Sequence, residues 1–501
     1  MALSDSVLKK INDELRPEDV YVVGGAVRDR LLKRPLWDMD LVTPYDPSAL
    51  AEKVARLMEG KSFVLDDKFK IYRIHLKVKG VKSGHRTFVN TDVRCPDLTP
   101  FQIDFSQMVQ GQLDQDLDRR DYTINSMAVP LTAWLTSHWH KSIIDRHKGL
   151  VHLRKKKLIP VLKSMIDNDP LRILRLFRIG AELQFSVPEP TQKLIRAKRH
   201  LATKPSPERI RDEFLKFFSA TPCHPYLALM DQCGVLEVFL PEVKALRKTA
   251  HSYYGKDGVL HHSLQTVQIL EDLITNLKSW FPRSHKKMRA YMNENRSGYP
   301  RSAHLKWGAL LHDIGKPETA EMRDGRLRFF DHEYRGAEKI PTLGKRFRWA
   351  TDEVDRYARL VRHHMRPGNL AAQKHITDKA LHRFFRDLGD DAIGMLLISL
   401  ADHLTYLTPH QREKRSSAHE LLTLKMINRY YNQKQKVLPP RLLDGYDIMK
   451  AFRLKPSPLI GTLLTELTEA QSEGHIKTKE AALQYLKTVI EKMEPKALSK
   501  T

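Results

Sequence analysis

Residues Tyr21 to Val42 read YVVGGAVRDRLLKRPLWDMDLV, and this stretch decides the fold. An apolar, β-type run ends in Gly24-Gly25, an Arg28-Asp29 pair follows, and Asp38 and Asp40 stand one residue apart at the start of a second apolar run. Side chains alternate along a strand, so two aspartates separated by one residue point to the same side. Carboxylates held that way are suited to divalent cations, which prefer oxygen ligands.

The glycines bear on the same chemistry. A backbone without Cβ lets a phosphate approach closely, and a helix beginning there offers free N–H groups and the positive end of its dipole. Arg28 adds a charge-assisted hydrogen bond. Asp38 and Asp40 would bind one or two Mg²⁺ ions, which neutralise a triphosphate and activate an attacking hydroxyl. Asp104, in the later β-type run FQIDF, is a third carboxylate able to orient that nucleophile.

Composition narrows the partner. The chain has 501 residues, with 85 Lys and Arg against 60 Asp and Glu, a net charge of +25. Such a surplus favours a polyanion such as nucleic acid over a small acidic substrate, which needs only a local patch. The basic runs LRKKK, RSHKKMR and HQREKR are dispersed, and each alone reads as a solvated face. Cys95, Cys223 and Cys233 are too few and too scattered for a disulfide framework, which points to a reducing compartment. No apolar run approaches the roughly 18 residues that cross a bilayer, and the N-terminus carries acids where a leader is apolar or acid-poor. These features predict a cytoplasmic protein without a membrane association, and they name no protein partner.

The β-type runs concentrate before residue 150: VYVVGGAV, MDLV, SFVLDD, IYRIHLKV, FQIDFS and SIIDR alternate with helical stretches such as Pro47 to Met58. Beyond about 155 the period becomes helical, and SPERIRDEF, from Ser206, opens with a good helix start. A polar, turn-rich break lies at Arg247 to Gly258, followed by His-rich helical segments to about 405 and then short amphipathic helices punctuated by Gly and Pro. Four modules are expected, over 1–150, 151–246, 247–410 and 411–501.

The conjunction GGxVRD and DxD resembles the polymerase-β nucleotidyltransferase superfamily, and more specifically the class II tRNA nucleotidyltransferase and bacterial poly(A) polymerase family. Three further segments are similar to motifs of that family in the same order: DLDRRDYTINSMAV from Asp116, NDPLRILRLFRIGAELQF from Asn168, and SPERIRDEF from Ser206. The resemblance implies an α+β fold: a polymerase-β-like nucleotidyltransferase head on a small mixed sheet, then all-α neck, phosphohydrolase and tail domains. It implies Asp38 and Asp40 as Mg²⁺ ligands, with Asp104 beside them. Gly24, Gly25, Arg28, Arg120, Asp121 and Arg175 would serve the incoming nucleotide. Asp169 and Arg172 match the pair that reads the base in place of a template. A carboxylate accepts from the exocyclic amine of cytosine or adenine while a guanidinium donates to the neighbouring ring acceptor, and uracil and guanine present the opposite polarity. Three residues apart on a helix, the two would share a face.

The chain departs from the family pattern at Asn168, where Glu is frequent, and over Val64 to Asp116, which carries an Arg/Lys-containing insertion. A GRRF-like signature of bacterial poly(A) polymerases is missing. The implied activity is addition of C and/or A residues of the 3′-terminal CCA of tRNA, from CTP and ATP. Complete CCA, CC-only and A-only addition stay open, as do a poly(A)-type polymerase and a phosphohydrolase whose head only binds ligand.

Histidine and aspartate recur in order at His262, His312-Asp313, His332, His363-His364 and Asp402. Imidazoles and carboxylates from separate helices suit Mn²⁺, Ni²⁺, Fe²⁺ or Mg²⁺. His251, His285, His304 and His375 read as ordinary hydrogen-bonded residues. The ordered set, with HDIGKP at its centre, resembles the HD phosphohydrolase superfamily, which implies phosphatase or 2′,3′-cyclic phosphodiesterase activity. The segment from Leu442 to Leu467 resembles the family's tail, implying RNA docking there.

Overall fold

The computed structural model describes residues 19–36, 38–57, 60–66, 70–75 and 102–497, with Lys9 and Asp13. Cys95 and the rest of the 76–101 insertion lie outside the described residues. The chain divides into two compact units. One runs to Lys244 and includes Asn293–His304 and Gly344–Trp349; the other comprises Ala245–Met292, Leu305–Leu343 and the chain from Ala350.

The first unit is built on a mixed sheet of six strands: β1 (Tyr21–Val23), β2 (Asp38–Thr43), β3 (Lys61–Asp66), β4 (Ile71–His75), β5 (Gln102–Gln107) and β6 (Ala128–Pro130), ordered β3-β4-β5-β2-β1-β6. Only β2 and β5 pair in parallel, placing Asp40 opposite Asp104; β4 pairs antiparallel with β5, placing Arg73 opposite the same Asp104. Alternation separates the two faces. Met39, Leu41, Ile103 and Phe105 are buried with Val22, Val27, Ala51 and Val54, covered by the helices Gly25–Leu31 and Pro47–Leu57. The opposite face buries Val23, Val42, Met108, Leu117 and Ala128, and carries Asp38, Asp40 and Asp104.

One expected strand is different. The run SIIDR from Ser142 makes only an isolated bridge between Ile144 and Ala128. Asp145 takes over that stretch, because its carboxylate accepts from the backbone N–H of Gly149 (2.6 Å) and Leu150 (2.9 Å) at the start of the helix Gly149–Arg154. Side-chain capping competes with a strand ladder, and here it prevails.

The helix Arg172–Leu183 packs on the helix Pro207–Ser219, whose Ser206 cap accepts from Arg209 N. Between them Arg178 donates to buried Glu213 (2.7 Å) and to Glu182 (2.9 Å). Burial opposes ionisation of Glu213, but Arg178, Arg175 and Lys216 outweigh it and hold its carboxyl below the usual range.

The second unit is mainly helical, with a hairpin of Ala320–Arg323 and Arg326–Phe329. Gly258–Thr275 packs along Ala392–Thr405, and the unit also holds residues 305–311 of the helix Arg301–Leu311, residues 332–343 of the helix His332–Phe347, and the helix Thr351–His363. Its last three helices, Gly445–Phe452, Pro458–Ser472 and Lys479–Ala497, share a small core around Ile448, Leu463, Leu467 and Leu486.

Removing one partner of a buried ion pair strands the other charge, at about 3–5 kcal/mol. Glu213→Ala is therefore expected to lower the urea midpoint of the first unit by the equivalent of about 3 kcal/mol. Glu213→Gln, which keeps an acceptor, loses less; a wild-type midpoint for the alanine variant would contradict this.

Candidate functional site

The turn after β1 meets β2 closely. Gly24 has φ 75°, and a Cβ built there would stand 2.8 Å from Arg120 Nη1 and 3.2 Å from Asp40 Oδ2. Only glycine fits, since the backbone is left-handed and the space is already claimed. Asp40 sits among like charges: burial, then Asp38, then Asp104 push its carboxyl up to about 6, with Arg120 and Arg175 partly offsetting them. Asp104 is clamped by Arg73 through Nε (2.8 Å) and Nη2 (2.6 Å). Three carboxylates crowded on one face, beside a cradle that a methyl group would fill, fit a divalent cation and a phosphate.

Neighbouring arginines are fixed by internal acids. Arg120 donates to buried Asp116 through Nε (3.2 Å) and Nη2 (2.9 Å), leaving Nη1 toward Gly24. Arg28 donates to Asp29 (2.8 and 2.9 Å) and to Asn125 Oδ1 (2.7 Å). Asp121 is buried and accepts from Arg175 Nε (2.8 Å), Asn125 Nδ2 (3.0 Å) and Tyr122 N (2.7 Å), so its carboxylate serves as a strut for Arg175. Burial disfavours its charge, but Arg175 and these hydrogen bonds hold its carboxyl far below the ordinary range.

The pair Asp169 and Arg172 is arranged differently from the helical spacing expected. Asp169 is extended (φ −147°, ψ 95°) and caps the end of Met165–Asn168, while the next long helix begins only at Arg172. Pro170 explains this, because the residue before proline is pushed out of the helical region. The two side chains have separate anchors. Asp169 accepts from Arg209 Nη2 (3.1 Å) and Leu171 N (3.2 Å), and Arg172 donates to the carbonyls of Met165 (3.1 Å) and Arg119 (2.5 Å). Asp169 thus retains acceptor capacity, since a carboxylate offers about four lone-pair sites.

The second unit gathers a second cluster. His262 Nε2 lies 3.0 Å from Asp402 Oδ1 and 3.2 Å from Asp313 Oδ2; His312 Nε2 lies 3.2 Å from the same Asp313 oxygen. His332 and His364 approach Asp313 Oδ1 at 3.3 and 3.5 Å, and their own Nε2 atoms are 3.1 Å apart. Every Nδ1 is engaged outward. His312, His332 and His364 each donate to a backbone carbonyl at 2.7 Å, of Ala309, Phe329 and Val361. Thr405 Oγ1 donates to Asp402 O (2.6 Å) and therefore accepts from His262 Nδ1 (3.1 Å). With Nδ1 engaged outward, the four imidazoles turn Nε2 inward, the atom a metal would take.

Nε2 of His262 and of His312, Oδ1 of Asp313 and Oδ1 of Asp402 are buried without a hydrogen-bond partner among the described residues, while Asp313 Oδ2 is ion-paired with Lys316 Nζ. Orphaned acceptors facing one another are the chemistry of a cation site. Two overlapping triads have ligand atoms within 4.8 Å: His262, His312 and Asp402, and His312, Asp313 and His364. Burial opposes the charge on Asp313, but His312, Lys316 and His262 hold its carboxyl well below the usual range. Burial lowers His364 and keeps it neutral.

His363 is placed elsewhere. It lines a cavity of about 300 Å³ with Ala337, Arg359 and Arg362, apart from the cluster. His304 donates through Nε2 to Arg296 O (3.0 Å), as an ordinary core histidine does. Sequence reasoning passed over Arg73, Asn125 and Arg209 in the first unit and Lys316, Thr405, Tyr254 and Tyr406 in the second. Of these only Lys316, three residues after Asp313 in HDIGKP, carried a signal in its spacing.

Comparisons with known proteins follow the same division. The poly A polymerase head domain matches residues 20–159, the probable RNA- and SrmB-binding site of polymerase A matches 184–246, and the HD domain matches 259–407. The chain is 31% identical to a CC-adding tRNA nucleotidyltransferase of Thermus thermophilus, across 94% of this chain and 93% of that one. It is 27% identical to an A-adding tRNA nucleotidyltransferase of Deinococcus radiodurans, across 93% and 94%. In fold it is similar to the Thermotoga maritima CCA-adding enzyme solved with tRNA, with a TM-score of 0.59 and 18% identity over 97% of this chain and 94% of that one.

Metal content separates the adjacent histidines. His364→Ala is expected to lower the Mn²⁺ retained after equilibrium dialysis by at least half an equivalent, roughly the loss of a ligand from a shared site, while His363→Ala retains the wild-type amount. Equal losses, or none, would contradict the assignment.

Proposed function

The chain belongs to the tRNA nucleotidyltransferase family, and from that premise we propose that it adds C and/or A residues to the 3′ end of tRNA from CTP and ATP, while its second unit hydrolyses phosphate esters. The observation that carries the first part is the register that sets Asp40 beside Asp104 and behind Gly24.

In this reading Asp38 and Asp40 would hold Mg²⁺, which would supply charge neutralisation to the triphosphate during in-line displacement. Gly24 and Gly25 let the triphosphate approach the backbone, with the N–H groups of the helix that follows turned toward it. Arg120, steered by Asp116, presents Nη1 to the same space. Asp104, held by Arg73, orients the terminal 3′-hydroxyl, whose oxygen attacks the α-phosphorus as pyrophosphate departs. Arg28 and Asp121 act through Asn125 and Arg175, as positioning residues. Asp169 and Arg172, anchored apart, present an acceptor and a donor to the edge of C or A, and Arg209 sets the carboxylate.

The second site rests on its four inward imidazoles and two acids. His262, His312, Asp313, His332, His364 and Asp402 would hold Mn²⁺, Ni²⁺, Fe²⁺ or Mg²⁺. A bound divalent ion lowers the pKa of a water ligand to make a nucleophile near neutral pH. Cleaning a 2′,3′-cyclic or terminal phosphate from a damaged 3′ end would prepare it for addition by the head. The dispersed positive charge suits recognition of tRNA by shape and backbone. Among the described residues no helix is long and apolar enough to cross a membrane. Cys223 and Cys233 are buried and not bridged to each other, which accords with a cytoplasmic setting.

Because the two sites lie in separate compact units, single substitutions should part the two chemistries. Asp40→Ala is expected to cut nucleotide incorporation by at least ~100-fold and spare hydrolysis of bis-p-nitrophenyl phosphate in Mn²⁺ or Ni²⁺; Asp313→Ala does the reverse. Asp169→Ala loses its preference for CTP and ATP over UTP and GTP, because a site built on hydrogen bonds rejects analogues through them. Normal incorporation by Asp40→Ala, or hydrolysis unaffected in Asp313→Ala, would overturn the corresponding site.

A further inference from the structure

Three tyrosines stand against the second site, and neither metal binding nor the core accounts for them. The rings of Tyr254 and Tyr406 lie 4.8 and 5.3 Å from the ring of His262, both tilted toward parallel at 31° and 39°. Tyr253 meets Tyr254 edge-on at 4.8 Å and Tyr406 at 6.3 Å. Tyr253 is 65% exposed and Tyr406 45% exposed. Single exposed aromatics are ordinary, but here three touch one another and border a candidate ligand.

Local structure holds them in place. Asp402, Thr405 and Tyr406 follow one another over the last turn of Ala392–Thr405, so the helix end that supplies a metal ligand and the Nδ1 partner of His262 also supplies the ring. Tyr254 ends the short helix His251–Tyr254 at Gly255. Its hydroxyl accepts from Lys316 Nζ at 2.8 Å and lies 3.0 Å from the Tyr406 hydroxyl. Lys316 also pairs with Asp313 at 2.5 Å, so one chain of contacts ties the aromatic wall to the cluster. The polar ends of Tyr254 and Tyr406 are spent on that chain, and Tyr253 and Tyr406 present ring surface to solvent.

Resting on the phosphohydrolase reading of this site, we propose that Tyr253 and Tyr406 form a base-stacking platform, the part of the site that holds the base of its substrate and so favours nucleotides over other phosphate esters. A base on the platform would place its ribose phosphate at the edge of the cluster, beside His262. Stacking suits every base, because each has a π face, so the platform selects nucleotides without selecting sequence. For a 2′,3′-cyclic phosphate the step is hydrolysis: a water oxygen adds to phosphorus, one ring P–O bond breaks, and the freed ribose oxygen takes the proton.

The test compares cytidine and adenosine 2′,3′-cyclic phosphates with the 2,3-cyclic phosphate of methyl riboside, which has no base. Tyr253→Ala should raise KM for both nucleotides roughly tenfold, the scale of one lost stack, with kcat and the base-free ester little changed. Tyr253→Trp should restore the nucleotide KM. Irradiation of 4-thiouridine 2′,3′-cyclic phosphate with the full chain, followed by peptide mapping, gives a readout independent of turnover: cross-links are expected at Tyr253 or Tyr406. Those cross-links without hydrolysis under any metal would support the platform and overturn the hydrolytic reading. An unchanged ratio of nucleotide to base-free KM in Tyr253→Ala, or cross-links confined to the first unit, would overturn the platform.

Discussion

The structure depends on the parallel pairing of β2 with β5. In that register the alternation of each strand buries Met39, Leu41, Ile103 and Phe105 on one face and turns Asp38, Asp40 and Asp104 to the other. A slip of one residue would send the carboxylates into the core and the apolar residues to the site. Burial of the apolar face is therefore what holds the acids together against their mutual repulsion, which adds to the effect of burial in raising the carboxyl of Asp40. The turn at Gly24 and the clamp from Arg73 follow from the same arrangement, since each faces one of those acids.

The second unit solves a similar problem with helices. Six potential ligands come from five separate stretches of chain, and what aligns them is less the ligands than their outer partners. Backbone carbonyls of Ala309, Phe329 and Val361 and the hydroxyl of Thr405 take each Nδ1 proton, so every Nε2 is left for the interior. Orientation of this kind is what raises a group of histidines to a site.

Much of this was legible in the chain. The strand pattern around Asp38 and Asp40 and the helical region after 155 follow from local periodicity, and the ordered histidines from the resemblance that their motif carries. The remainder depends on contacts between distant segments. Arg73 and Asp104 meet only through the β4–β5 register, and Arg209 reaches Asp169 across the helix pair. His363 and His364 are adjacent in sequence, but neighbours on a helix point about 100° apart, and packing alone decides which faces the cluster. Asp169 was expected on the same helix as Arg172, and Pro170 carried the contrary signal. The strand expected at SIIDR gave way to capping by Asp145, a competition that apolar patterning does not register.

The central claim is that the head adds a short, defined sequence to tRNA without a template. The direct measurement incubates the full chain and Mg²⁺ with tRNA ending at the discriminator base, or with one or two C residues beyond it, and with each nucleoside triphosphate separately. The account predicts extension by C, A or both on at least one of these ends, stopping within the CCA triplet, and no incorporation of U or G. Long A tails on arbitrary RNA, or no extension of any end, would contradict it.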